Sequence, residues 1–305
     1  MSDWPLAAVR FGLYGGLGLF FGLPFFTLVH RGGEGLWRMF RLGRVLILLA
    51  GLSIVLSLLG FLLLVARMSA TPFGTLDMGL VQTLLAESAI GWAFVTRTAA
   101  LLLGLVLALL LPLGRAKPAL LALCGAVAIA TLAWSGHGAG GEGMAGSVHL
   151  VSDVVHLLAA STWLGALAML LALVLPGGKV THERIEVAHA ALADFGRTGT
   201  IVVVLIVLTG IANAAFIVDA AALPTLGTST YGRLLFVKLV FFAAMLGCAA
   251  LNRYRLTPAL SASIERGELR PSLRDLRRSI AVEATLAFAV LALVGWLGML
   301  EPGGG

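Results

Sequence analysis

Several stretches of roughly 20 residues in this chain are apolar and almost free of charged side chains. About 20 helical residues cross the hydrocarbon core of a bilayer, and a helix satisfies its own backbone hydrogen bonds there. The pattern therefore predicts an all-α fold, a polytopic membrane bundle of eight transmembrane helices. The predicted spans are 6–29, 45–66, 89–111, 119–136, 147–175, 199–220, 232–252 and 280–300.

The composition excludes an ordinary soluble domain. Hydrophobic residues make up 59% of the chain and charged residues 12%, whereas soluble domains carry about 25% charged residues. The first apolar stretch has no basic leader or small-residue cleavage site, so we expect the mature protein to keep it. No linker-like tract divides the sequence, which predicts one membrane domain over 1–305. Cys124 and Cys248 lie in apolar runs and indicate neither a disulfide framework nor a zinc cluster.

Basic residues are concentrated in alternate loops of the predicted bundle. The rich loops carry Arg31, Arg38, Arg41, Arg44, Arg115, Lys117, Lys179, Arg184, Arg197 and the arginines of 253–278. The other loops contain little beyond Arg67 and Arg233. Since basic loops stay in the cytoplasm, both termini are predicted to lie outside, an N-out and C-out arrangement. Residues 75–87, between spans two and three, are too polar to cross and predict a short surface helix.

The fifth predicted span contains unusual polar residues, in the stretch HLVSDVVHLLAASTWLGAL at 149–167. On a helix, His149, Asp153 and His156 share one face, and Trp163 extends that face inward. Ionisable groups are costly in lipid, so they usually face the protein interior and mark a site or a pathway. In the predicted orientation, His149 lies near the outer surface and His156 near the bilayer middle.

The residue types on this face indicate a metal site. Imidazole is a common ligand for copper, zinc and iron, and a nearby carboxylate can orient its ring. The preceding glycine-rich loop adds His137 and Met144. Thioether and imidazole together favour copper, especially Cu(I). We therefore predict a copper site from His137, Met144, His149, Asp153 and His156, although each residue alone also fits a packing or hydrogen-bonding role.

Other polar groups of the spans gather at a similar, outer level. They are Arg10, Arg97, Asn213, Asp219 and Lys238, whereas Glu283 lies at the inner end of span eight. Their common level predicts an outward-opening polar cavity. The alternative is a set of structural ion pairs that tie the helices together.

Two stretches resemble the CopD family of copper-resistance membrane proteins. They are GHG at 136–138 and SDVVHLLAASTWLGAL at 152–167. Weaker matches follow the family order: IGWAFVTR at 90–97, YGRLLFVKLVFF at 231–242 and VEATLAFAVLAL at 282–293. The resemblance implies a bacterial inner-membrane protein that moves copper from periplasm to cytoplasm, supplied by a separate periplasmic carrier of the CopC type. It points to His137, Asp153, His156 and Trp163, with Arg97 and Lys238 as further motif positions.

The leading prediction is a copper transporter rather than an enzyme, with lipid and a CopC-like carrier as partners and no role for nucleic acid. Copper would be captured by His137, Met144 and His149 and passed to His156. One alternative is a redox protein that binds a b-type haem through His149 or His156, although a second axial histidine is scarce. Another is an assembly factor that delivers copper without transporting it.

Overall fold

The computed structural model describes residues 4–30, 32–70, 75–135, 143–175, 182–217, 227–266 and 269–300. Regular structure in these ranges is entirely helical. The helices are α1 Trp4–Val29, α2 Gly33–Met39, α3 Leu42–Met68, α4 Met78–Glu87, α5 Ala89–Leu110, α6 Ala116–Ala130, α7 Gly143–Val174, α8 His182–Ile217, α9 Thr230–Leu251, α10 Thr257–Arg266 and α11 Leu269–Leu297. A 3₁₀ turn, Thr131–Ser135, extends α6, and a π-helical turn, Asn252–Leu256, joins α9 to α10.

Eight helical segments are long and apolar enough to cross a membrane, which confirms the predicted architecture. They are α1, α3, α5, α6 with its 3₁₀ turn, α7, α8, α9 continuing into α10, and α11. The predicted short helix between spans two and three is also present as α4. It begins after Asp77, whose carboxylate accepts hydrogen bonds from the amides of Gly79 and Leu80 at 2.9 and 3.1 Å, a typical N-cap.

Two helices extend well beyond the apolar stretches that predicted them. Helix α8 begins at His182 rather than at 199, and α11 begins at Leu269 rather than at 280. Hydropathy marks the part of a helix that lipid surrounds, but nothing requires a helix to end where the lipid ends. The two predicted cytoplasmic loops are therefore largely helical.

Helix α1 occupies the centre of the bundle and packs against α3, α6, α7 and α11. Its closest neighbour is α7, where Gly22 and Gly165 meet: a Cβ added to Gly22 would lie 2.9 Å from the Cα of Gly165. Small residues at such crossings allow the backbones of membrane helices to approach and gain van der Waals contact. The close crossing fixes the position of the polar face of α7 relative to the core.

Helices α8 and α9 lie at the periphery. Helix α8 packs on α7 and α9 packs on α11, but α8 and α9 scarcely approach each other within the described residues. In the span Thr230–Ile264, only 6% of an apolar 18-residue stretch is buried, against 61% of such a stretch in α1. A space therefore separates α8 from α9, and residues of α7 and α11 also line it.

Basic side chains at one end of the bundle cap helix C-termini. We call this end, which carries α2, the α2 end, and the opposite end the α4 end. Arg277 donates to the carbonyl of Val174 at 2.8 Å, and Arg184 donates to that of Ala172 at 2.6 Å. Lys117 donates to the carbonyl of Ala108 at 2.7 Å. Because the last carbonyls of a helix have no helical partner, these cations satisfy them. These basic residues therefore stabilise the helix ends, in addition to their predicted effect on orientation.

Candidate metal site

The polar face of α7 packs against α8. His149 stacks on the ring of Phe216, with centroids 4.9 Å apart. Below it, the Nδ2 of Asn213 donates to the Oδ1 of Asp153 at 3.3 Å. Further along, His156 meets Thr209. The predicted inward orientation of this face is confirmed, and its direct partner is one antiparallel helix.

The contact with Thr209 favours one tautomer of His156. The Thr209 hydroxyl donates its single proton to the carbonyl of Leu205 at 2.5 Å. With that donation, its oxygen is left to accept from the imidazole, whose Nδ1 lies 3.0 Å away. In the tautomer that this arrangement favours, Nδ1 carries the proton, and Nε2 keeps its lone pair. An imidazole held in this way is ready to bind a metal through Nε2.

His156 lines a cavity of about 380 Å³ bounded by side chains of α1, α6, α7, α8, α9 and α11. Lys238, Trp163 and Met245 also line it, and most of the remaining wall is aliphatic or aromatic. Among the described lining residues, His156 is the only histidine. The cavity is therefore a mainly apolar chamber that carries one imidazole and one thioether.

Charge near His156 is balanced by its neighbours. Lys238 is close enough to both His156 and Asp153 for electrostatic interaction. A lysine opposes cation binding at the imidazole, whereas the carboxylate of Asp153 offsets that repulsion. Asp153 was predicted to orient an imidazole; for His156 that role belongs to Thr209.

Trp163 links the cavity to the buried carboxyl group of Glu283, toward the α2 end. Its Nε1 donates to the Oε1 of Glu283 at 2.8 Å. The Nδ2 of Asn252 donates to Oε2 of the same carboxylate at 3.0 Å. Glu283 is only 3% exposed, so these two donors satisfy both oxygens of a carboxyl group that would otherwise be costly to bury.

The predicted copper ligands are not assembled into one centre. Among the described residues, no three His, Cys, Asp or Glu side chains come together as a metal site. His149 is buried and stacked, and Met144 is 85% exposed at the start of α7. His137 lies outside the described residues, as does Asp219 of the predicted polar cluster. The ligand set remains a prediction.

The polar groups behind the predicted outward-opening cavity do not share one cavity among the described residues. Arg97 and Arg10 line a separate pocket of about 120 Å³ between α1, α3 and α5. His156 and Lys238 line the larger cavity. Tyr14 of α1 lines both.

Sequence reasoning missed several residues around His156 and Trp163. Thr209, Asn252 and Met245 were not selected, although the first two are polar residues inside apolar helices, a detectable signal. Met245 offers no such signal, because a methionine in an apolar helix is usually core.

Family models and related proteins match this chain over most of its length. The family model described as Copper resistance protein D-like, N-terminal domain, matches residues 1–147, and the model Copper resistance protein D matches residues 189–297. Copper resistance protein D of Pseudomonas syringae pv. tomato is 36% identical over 307 residues, 99% of this chain and 98% of the relative. The chain belongs to the CopD copper-resistance family.

A second relative is the inner membrane protein YebZ of Escherichia coli K12. It is 30% identical over 202 residues, covering 66% of this chain and 65% of the relative. No solved structure matches. Family membership and the eight apolar helices make this chain a multi-pass inner-membrane protein with a copper-related function. Most of α7, including His156, lies between the two segments that the CopD family models match.

Proposed function

We propose that this protein carries copper across the inner membrane, from the periplasm toward the cytoplasm, through the cavity lined by His156. One observation carries the proposal: the Nδ1 of His156 is bonded to Thr209, which leaves Nε2 for a metal ion in the cavity that this residue lines. Copper is the cargo, and the family name supports that choice.

The chemistry of the chamber favours Cu(I). Imidazole and thioether are ligands for this soft ion, and His156 and Met245 supply one of each. With a neutral imidazole, the opposite formal charges of Asp153 and Lys238 cancel, so a monovalent cation adds a single charge. A divalent ion would add two charges in an apolar chamber, at a higher desolvation cost.

The route on either side of the chamber follows the polar residues of the bundle. Capture would use the exposed Met144 and His149, which lie at the α4 end, together with His137. His149 becomes reachable when α8 moves Phe216 from its ring. Toward the α2 end, Met245 would lead to Glu283. A periplasmic carrier of the CopC type would deliver the ion.

Copper uptake into proteoliposomes tests this role of His156. His156→Ala removes the available Nε2 and is expected to lower the initial rate of Cu(I) uptake by about tenfold or more. His189→Ala is the matched control, because His189 lies in α8 outside the cavity lining. Uptake that is equal in wild type and His156→Ala would remove His156 from the route.

Two measurements separate the alternatives. A mainly apolar cavity with one histidine also suits a haem, so an absorption spectrum of freshly purified protein is decisive. A Soret band that His156→Ala abolishes would favour the haem protein. Stoichiometric copper binding through His156 without flux would favour the assembly factor.

A further inference from the structure

The pocket between α1, α3 and α5 contains two cationic side chains and no described carboxylate. We call it the Arg10–Arg97 pocket, after the guanidinium groups that line it. Its volume is about 120 Å³, and Ser57 and Tyr14 add hydroxyl groups to a wall that is otherwise mainly apolar. It lies toward the α4 end, and α6 contributes Leu132 through its 3₁₀ turn.

Several hydrogen-bond donors in this pocket lack partners among the described residues. They are the Nε of Arg10, the Nε and Nη1 of Arg97, and the Oγ of Ser57. Arg97 is 6% exposed and Ser57 is fully buried. A guanidinium has donors only, and a serine hydroxyl can donate as well. All four atoms are therefore suited to one electron-rich ligand.

The described contacts of Arg10 do not supply a hydrogen-bond acceptor for its Nε. Arg10 packs against Gly298 just beyond the end of α11, where a Cβ would collide with the guanidinium. Helix carbonyl ends favour a cation there, but the Nε of Arg10 still has no described partner. Buried charges in native proteins are normally paired.

We propose that the Arg10–Arg97 pocket binds a small monovalent anion of the size of chloride. Two guanidinium groups supply charge-assisted hydrogen bonds to it, and Ser57 supplies a neutral one. The apolar wall favours an ion that is easily dehydrated, because the cost of burial rises steeply with charge. We therefore expect chloride to bind in preference to phosphate and sulfate. This assignment is independent of the copper route.

Chloride binding to the full-length protein tests the proposal. Protein purified in chloride-free gluconate buffer is titrated with chloride while the line width of the ³⁵Cl resonance is measured. Wild type is expected to show saturable broadening that bromide reverses and that phosphate and sulfate leave unchanged.

Substitutions locate the bound ion. Arg97→Gln is expected to weaken chloride binding by about tenfold or more, and Ser57→Ala by about threefold. Ser57→Ala keeps both charges, so it tests the site even where Arg97→Gln fails to fold. Arg38→Gln, at an exposed position of α2, is the control and should leave binding unchanged.

Three results would overturn the proposal. They are wild-type protein without saturable chloride binding, binding that is unchanged in both pocket variants, and reversal by phosphate at concentrations at which bromide has no effect. The last result would assign the pocket to a phosphate group, such as that of a lipid.

Discussion

The Thr209 hydroxyl, across the interface between α7 and α8, determines which ring nitrogen of His156 is available to a metal. Thr209 donates to its own helix at Leu205 and accepts from His156. The carboxylate of Asp153 instead accepts from Asn213 and lies near Lys238. Sequence spacing correctly placed these residues on one face of α7, but the side chain that orients His156 comes from α8.

Removal of the Thr209 hydroxyl tests the tautomer argument. Thr209→Val leaves Nδ1–H without its acceptor, so the ring loses its orientation and Cu(I) affinity is expected to fall by about tenfold. Competition with a chromophoric Cu(I) chelator measures this affinity. Thr285→Val is the control, because that hydroxyl bonds only to Ala281 of its own helix. Equal affinity in the two variants would contradict the assignment.

Charge balance at His156 predicts the behaviour of a double mutant. Asp153→Asn leaves Lys238 uncompensated, so Cu(I) affinity is expected to fall by about tenfold. Lys238→Gln in the same chain removes the repulsion and should restore affinity to within about threefold of wild type. The same chelator competition applies. If the double variant binds Cu(I) more weakly than Asp153→Asn alone, Lys238 does not act through its charge.

At the scale of elements, the crossing of α1 and α7 requires a glycine on each helix. Gly22 and Gly165 approach so closely that no larger side chain fits without a shift of the backbone. Glycines are frequent in membrane helices, so their presence in the sequence did not identify this crossing. The contact became evident only when the two helices were placed together.

An added methyl group at this crossing should destabilise the bundle. Gly165→Ala forces α1 and α7 apart, and overpacking of this kind typically costs about 1–3 kcal/mol. Thermal unfolding in detergent would show a lower Tm than wild type. Gly247→Ala in α9 is the matched control, since a Cβ there meets nothing within 4 Å. Comparable Tm losses in both variants would indicate a general effect of helix substitution.

On the scale of the whole molecule, the helices on one side of the bundle pack closely, whereas those on the other side leave a cavity between them. Helices α1, α3, α5, α6 and α7 form the packed part, whereas α8 and α9 diverge around the cavity of His156. Helices α8 and α9 have little contact with each other, so a change in their separation breaks few contacts. In the proposed transport, we expect these two helices to change the exposure of the chamber.

The bias of basic residues predicts that the α2 end faces the cytoplasm. In a chain that carries Cys124→Ala and Cys248→Ala, Met144→Cys should react with an impermeant maleimide in intact spheroplasts. Gly35→Cys should react only after lysis. Both sites are exposed in the structure, Met144 in α7 and Gly35 in α2. The reverse labelling pattern would invert the predicted orientation.

The sequence alone determined the class of protein, the number of spans and the polar face of α7, because hydropathy, length and helical periodicity are local properties. Tertiary structure decided which groups meet. His156 pairs with Thr209 over 53 positions, and Trp163 pairs with Glu283 over 120. Such pairs depend on which helices are neighbours and how each is rotated. Packing of side chains between helices determines both, and no single stretch of sequence encodes it.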